Sequence, residues 1–410
     1  MAISNHYQWK GGAELEPHSK AKLRILKDYL RQYLLIRCAL PKMSKLRMAI
    51  VDGFCGGGRY ACGAFGSPLL FIETTREVVE EINIKRAVEG INTRLHLELF
   101  LILNDKKEDA FEAVKYHCEP YVAHINENVS DINLTVDYRN FSFEDEFQNI
   151  FTDLQEGSYK NVLFNLDQYG YKGVWVDTIK KITSSFSRPE IFLTFSVDTI
   201  KTYYSQDQEK NRVPLNHLGV DCTIQELMDG PVSTGERLGI IEKFVFNALG
   251  PCAKYVSPFA IHNPKGWKYW LIHFSQVARA RQAYNDVLHQ NSTCQAHYGK
   301  AGLDMLFYDP SFSPGQIYLF EENDRNKDRD QLLIDIPKVV TDLGRNEMLV
   351  EDFYRYSYNR TAAHSDDLNS TLIKSRELEV HTGKGGTRSS SEQIKPTDLI
   401  VRVKQKEFLF

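Results

Sequence analysis

Continuous apolar runs alternate with segments of helical periodicity along the amino-terminal half of the chain. The runs at 48–51 (MAIV), 95–103 (LHLELFLIL), 132–136, 159–166 (YKNVLFNL) and 190–195 (EIFLTF) leave no polar face, so each predicts a strand covered on both sides. Between and before them, apolar residues recur at three- and four-residue intervals. Leu23, Leu26, Leu30, Tyr33 and Leu34 mark a helix over 17–37, and similar stretches lie at 74–90, 106–117 and 174–185. This alternation predicts a parallel sheet clothed by helices. Residues 200–250 read as a polar, mostly helical insertion. The runs at 255–262 and 267–275 are joined by Asn263-Pro264-Lys265-Gly266, a turn by composition. They predict an antiparallel hairpin at the sheet edge, with a helix over 277–290 returning from it.

The pattern changes after Asn291. Residues 291–328 are loop-like, with Pro310, Pro314 and the charge run Glu321-Glu322-Asn323-Asp324-Arg325, and their end reads as a linker. Helical periodicity returns at 331–343, 350–356 and 365–375. Short strands follow at 378–381 and 398–403 around the tip Gly383-Lys384-Gly385-Gly386-Thr387-Arg388. Three helices and a two-stranded wing predict a winged helix. The expected division is an α/β domain over 1–290, a linker or extension over 291–328 and a winged-helix domain over 329–410. Lys384 and Arg388 are the candidate contacts to phosphate or to a protein partner. Acidic and basic residues nearly balance in this segment, so both alternatives stay open.

Composition narrows the class. A chain of 410 residues with 42% hydrophobic and 25% charged content suits a globular protein of two or three domains. A formal charge of -4 leaves no chain-wide basic field, so nucleic-acid contact requires a local patch. Seven scattered cysteines (Cys38, Cys55, Cys62, Cys118, Cys222, Cys252 and Cys294) include no C-x-x-C pair. That argues against a disulfide framework or zinc knuckle and fits a reducing, cytoplasmic compartment. No apolar run has transmembrane length and the first residues do not read as a signal peptide, so no membrane partner is expected.

Candidate chemistry concentrates in residues 47–70, RMAIVDGFCGGGRYACGAFGSPLL. A strand ends at Asp52, and Gly53, Gly56, Gly57 and Gly58 follow around Phe54 and Cys55. Glycines there let the backbone turn sharply and a ligand approach closely; a glycine turn without ligand is the alternative. The end of the stretch places Ser67 as a helix cap and Pro68 at the first helical position. Further strands end near Asp105, Asp137, Asp167 and Asp198, which gives an acidic rim at the carboxyl edge where α/β sheets bind nucleosides. Asp105 stands where a ribose hydroxyl is bound, although about twice as far from the glycines as is usual. His18, Ser19, Lys20 and Lys22 open the first helix, either to reach a cofactor carboxylate or as solvated charges. Five parallel strands finished by a hairpin make the Rossmann-like sheet of class I methyltransferases. The expected cofactor is therefore S-adenosylmethionine. No G-x-x-x-x-G-K-[ST] run supports a nucleotide hydrolase.

The runs HSKAKLRILKDYL, VDGFCGGGRYACGAFGSPL, LDQYGYKGV and TAAHSDDLNSTLIKSRELEVHTGKGGTR resemble, in the same order, the three-Cys-motif partner protein family. Members of that family resemble S-adenosylmethionine-dependent methyltransferases and are named for a neighbouring radical-enzyme-like protein with a three-cysteine motif. The resemblance implies that Asp52, Phe54, Gly56 and Gly58 contact the methionine part of the cofactor. It also implies that Asp105 holds the ribose and that Asp137 or Asn140 faces the adenine edge. Asn165, Asp167 and Tyr169 stand where amino-methyltransferases carry D-P-P-Y. There Asp167 would orient or deprotonate an acceptor, or else only cap a helix. Tyr169 would stack on a base, or else only pack. Gln168 replaces the proline of the family's D-P-[YF]-G pattern, which removes a stiff element from the turn. Two functions follow as expectations. One is a methyltransferase acting on DNA or RNA beside the three-cysteine protein. The other is a catalytically silent scaffold that docks that protein.

Overall fold

A computed structural model describes residues 9, 12–196, 199, 215–219, 234–262, 268–291, 296–297, 300–306, 317–318, 322–344 and 346–403. Seven strands form one sheet: β1 (Lys45–Asp52), β2 (His96–Asn104), β3 (Ile132–Arg139), β4 (Asn161–Leu166), β5 (Arg188–Ser196), β6 (Tyr255–His262) and β7 (Lys268–Ser275). Their order is β3-β2-β1-β4-β5-β7-β6. The first five are parallel, and β7 runs antiparallel to both β5 and β6. The chain thus steps outward from β1 to β3, returns to β4 and closes with the expected hairpin. The crossing between β1 and β4 is the switch point at which such sheets open a crevice.

The apolar runs make this sheet because their side chains alternate between two filled layers. Met48 and Ile50 pack on α1 (Pro17–Arg37), α2 (Ser67–Val88), α3 (Glu108–Asn128) and α7 (Ala278–Asn291). Ala49 and Val51 face the opposite layer, formed by α4 (Phe143–Glu156), α5 (Val176–Ser185) and α6 (Thr234–Leu249). The described residues include no helix long and apolar enough to cross a membrane and no metal-holding group of His, Cys, Asp and Glu.

Several boundaries differ from expectation. Helix α2 starts at Ser67 rather than 74, and Gly66 is the residue before it, with no side-chain cap. The expected Ser67 cap is therefore replaced by Gly66. Helix α3 runs on to Asn128 through Pro120, well past 117. Most of the expected 200–250 insertion, the 263–266 turn and Asp198 lie outside the described residues.

The carboxyl-terminal part contains α8 (Glu322–Gly344), β8 (Glu347–Leu349), α9 (Val350–Ser357), α10 (Ser365–Lys374), β9 (Leu378–His381) and β10 (Leu399–Arg402). Its three-stranded sheet has β10 in the centre, antiparallel to both neighbours. From Glu322 on, the charge run read as linker is instead the first turn of α8. Arg325 and Arg329, one turn apart, both reach the buried Asp367 at 2.9 and 2.8 Å. Leu332, Ile336, Phe353, Leu368, Leu372, Val380 and Ile400 form a third core, and Tyr255 at the start of β6 belongs to it.

Arg281 of α7 fastens this module to the α/β domain. It is 1% exposed; Nη1 donates to Ser365 Oγ (2.9 Å), Nη2 to the Thr361 carbonyl (3.0 Å), and the guanidinium lies 4.1 Å from the Tyr358 ring. Burial lowers its pKa to about 10, so the group stays charged at neutral pH, held by dipoles and a ring face. Arg281→Ala strips the donor from the Thr361 carbonyl and opens a void, while Ser365 keeps its bond to Asn285. It should cost ~3 kcal/mol in denaturant unfolding and open the module to proteolysis first.

Candidate active site at the carboxyl edge of the sheet

Asp52, the last residue of β1, is paired in register with Asn165 of β4. Asn165 Nδ2 donates to Asp52 Oδ1 at 3.0 Å, and both residues are almost fully buried. Asp52 Oδ2 is buried without a hydrogen-bond partner. Burial raises the pKa of this carboxyl to about 7. The Ser67 hydroxyl and Asn165 oppose that shift, while Asp167 and Asp105 add to it. The amino end of α2 therefore does face Asp52, through Ser67 acting as a neighbour of the acid rather than as a cap.

Three backbone and carboxamide bonds hold the glycine loop. Gly53 N donates to the Asn165 carbonyl (3.0 Å), Asn104 Nδ2 to the Gly53 carbonyl (3.0 Å), and Cys55 N to the Asn104 carbonyl (3.0 Å). Gly56 and Gly58 have φ of +60° and +79°, conformations that L side chains rarely adopt. Close approach is realised at Gly56 and Gly57, and the approaching group is Trp9. A Cβ on Gly56 would lie 2.4 Å from the Trp9 ring, and one on Gly57 2.5 Å from it. Trp9 is set there by its own N–H, which donates to Asp109 Oδ2 at 2.8 Å, and by Tyr60, whose ring centroid is 5.4 Å away. The glycines are thus explained in part by an aromatic ring from the chain itself.

The other expected site residues divide. Asp105 follows β2 and braces the loop: Oδ2 accepts from Gly56 N (3.0 Å) and Oδ1 from Lys107 N (2.9 Å). Burial raises its pKa, and those two bonds pull the other way. Asn140 lies beside it, donating to the Asp105 carbonyl at 2.7 Å. Asp137 does not join this group. It sits within β3, in register with Ile102, and pairs with Arg139 at 2.7 Å. Arg139 also binds Glu146 and Asp153 of α4, so Asp137 belongs to an ion network under that helix. Phe54 is half-buried against Phe143, with ring centroids 5.7 Å apart.

Asp167 follows β4 and is ion-paired with Lys22 of α1, whose side chain is nearly buried. His18 is instead stacked on Tyr269, with centroids 4.7 Å apart. Gln168 is 2% exposed, and its Oε1 accepts from Gly173 N (2.6 Å) and Val174 N (3.1 Å). It therefore stiffens the turn by hydrogen bonds where a proline would do so by its ring. Tyr169 projects from this braced loop and is 80% exposed, whereas Tyr171 is buried against Phe195 and His217. Burial pushes the His217 imidazole down to about 4, so it is neutral at physiological pH.

At the far module, Arg388 donates to Asp398 through two bonds of 2.9 and 3.0 Å. Lys384 is exposed at the tip. On α10 only Asp366 and Lys374 are exposed.

Sequence reasoning missed Trp9, Asn104 and the bracing role of Gln168. An isolated aromatic ahead of the first helix carries no periodic signal. The Asn104 carboxamide acts through partners 37 and 51 residues away, and the Gln168 carboxamide through N–H groups of its own loop that carry no residue-type signal.

No family model matches the chain, and no curated protein matches it. Among solved structures it is similar to a putative O-methyltransferase from Klebsiella pneumoniae, with 8% identity, 64% of this chain and 92% of that chain covered, and a TM-score of 0.23. It is also similar to the O-methyltransferase TomG from Streptomyces achromogenes, involved in tomaymycin synthesis and solved in complex with SAM. There the identity is 9%, the coverage 65% of this chain and 92% of that chain, and the TM-score 0.25. At these scores neither likeness bears on the chemistry of the site.

Gln168→Ala strips the acceptor from two loop N–H groups. It should lower stability by ~2 kcal/mol in urea melts, while Tyr169→Ala stays near the parent.

Proposed function

We propose that the carboxyl edge of the sheet binds S-adenosylmethionine and that the protein is a methyltransferase. One observation carries the proposal: Asp52 presents a buried carboxyl oxygen with no hydrogen-bond partner beside the glycine loop, next to Asp105 and Asp167. An acidic rim suits a cofactor bearing an ammonium and a sulfonium, and opposes the pyrophosphate of a dinucleotide. The α-ammonium would supply the donor that Asp52 Oδ2 lacks, with Asn165 holding the other oxygen. Asp105 would hold the ribose hydroxyls and Asn140 would face the adenine edge. When bound, the cofactor supplies an electrophilic methyl group, so the protein's task is to align an acceptor and exclude water. Asp167 would orient the acceptor or take its proton, with Lys22 keeping the carboxylate in place. Gln168 would hold the loop that presents Tyr169 to the substrate.

We extend the proposal to a nucleic-acid substrate, supported by the exposed ring of Tyr169, which suits stacking on an unpaired base. A three-cysteine-motif protein as partner rests on the sequence resemblance alone. The module of α8 to β10 has the element order of a winged helix with its third helix largely covered, so it would serve docking better than groove reading. A catalytically silent scaffold is the second reading. It is favoured by Trp9 lying on Gly56 and Gly57 and by Asp167 already holding an ion pair.

The Asp52 shift gives a specific test. A folded-state pKa of about 7 means that the free protein holds a proton there which the unfolded chain gives up near pH 4. Stability of the unliganded protein should therefore decline as pH rises from about 4 to about 7. An ammonium bound at Oδ2 favours the ionised form and expels that proton. Calorimetry with S-adenosylmethionine at pH ~6, in buffers of different ionisation enthalpy, should register release of about one proton, falling to almost none at pH ~8.5. Asp52→Asn should bind at least tenfold more weakly and release none. Absence of binding by the parent chain would overturn the cofactor assignment. Binding without methyl transfer to DNA, RNA or protein would favour the scaffold.

A further inference from the structure

A second polar recess lies at the opposite end of the sheet. It is a groove of about 590 Å³ between the carboxyl end of α5, the 250–254 segment, Gln276 after β7, and α9. Four of its lining residues are cationic, namely Lys180, Lys181, Lys254 and Arg355, and none is acidic. In a chain of net charge -4, that clustering is local, with Glu351 and Asp177 paired to two of its lysines. The strand register fixes its position, because Tyr255, Ser275 and Glu190 pair with one another at the amino end of β5. The groove is thus roughly the length of β5, about 25 Å, from the acidic rim and cannot belong to the same ligand pocket.

Nearby charges leave much of this field uncompensated. Lys180 reaches Asp177 at 3.8 Å, and Arg355 makes no ion pair within 4 Å among the described residues, although Glu351 one turn earlier feels its charge. Lys254 is paired with Glu351 at 2.6 Å, a glutamate whose side chain is half exposed. Lys181 donates to the Gln148 carboxamide and lies 4.5 Å from the Phe151 ring, both neutral groups. The floor is rigid: Gln276 Nε2 donates to the Thr183 carbonyl (3.0 Å), its Oε1 accepts from Lys254 N (3.2 Å), and Thr183 Oγ1 donates to the Cys252 carbonyl. Three lysines come from the α/β domain and the arginine from α9, so both modules contribute.

We infer that this groove is an anion site for consecutive phosphates, formed where the two modules meet. A run of phosphates fits better than one isolated anion because the cations line an open channel of several hundred Å³ and do not converge on a point. The site does not depend on the cofactor assignment at the other edge.

The test is fluorescence anisotropy of the full chain with a labelled 20-base-pair DNA duplex and the matching RNA, with inorganic tripolyphosphate as competitor. The parent chain should bind with a steep salt dependence. Lys180→Ala with Arg355→Ala should weaken binding about tenfold and lower the log-log salt slope by about 2, as expected for two lost phosphate contacts. Both residues are surface-exposed, and S-adenosylmethionine calorimetry on the same double variant checks that the opposite edge is unchanged. Binding of duplex or RNA that tripolyphosphate displaces only weakly assigns the phosphates to a nucleic-acid backbone. Tripolyphosphate binding alone assigns them to a small polyphosphate. Failure of the parent to bind any of the three probes, or equal affinity and slope in the double variant, overturns the site.

Discussion

The pairing of Asp52 with Asn165 across the ends of β1 and β4 is the constraint on which the rest of the site depends. Strand register sets it: Asp52 and Asn165 are opposite each other only because Met48 is opposite Asn161 four residues earlier. A slip of one residue would turn Met48 and Ile50 into the layer now occupied by Ala49 and Val51 and misplace both core layers. Core packing therefore fixes polar geometry at the edge. From that fixed pair, Gly53 N reaches Asn165, Asn104 reaches Gly53, and Cys55 N reaches Asn104, so the loop inherits the precision of three adjacent strands. A buried acid that would otherwise be costly is retained at the head of that frame.

The sheet was legible because the physics of a doubly covered strand is written in contiguous residues. The run 255–262 coincides with β6, and 190–195 falls inside β5. Element ends were less legible. The Gly66-Ser67-Pro68 stretch reads as punctuation, yet α2 begins within it, since Gly66 N is held by the Gly58 carbonyl at 2.8 Å. The run at 321–325 reads as a solvated linker because its partner, Asp367, is some forty residues away.

The candidate site was legible to a similar extent, by position more than by contact. Asp52, Asn165, Asp105 and Asp167 gather at one edge because strand ends in a parallel sheet share an edge. Asp137 shows where that logic stops. Three residues further along β3 than the expected strand end, the chain is still hydrogen-bonded to β2, and the acid pairs with Arg139 instead of facing the rim. Lys22 and Gln168 illustrate the converse: neither has a local pattern, yet one holds a rim carboxylate and the other folds the loop beside it. At the far end, Tyr255 and Arg281 join the two modules through burial rather than through a flexible tether. The acidic rim and the basic groove are therefore held at a set distance by one sheet.

Trp9 gives the glycine loop a practical dependence on the chain's amino end. The loop's surface is complete only with an indole resting on Gly56 and Gly57. An expression tag or trimming that pulled this residue away would bare two backbone units and release Asp109 from its N–H donor. Preparations differing only in their first dozen residues would then present chemically different floors to the same ligand.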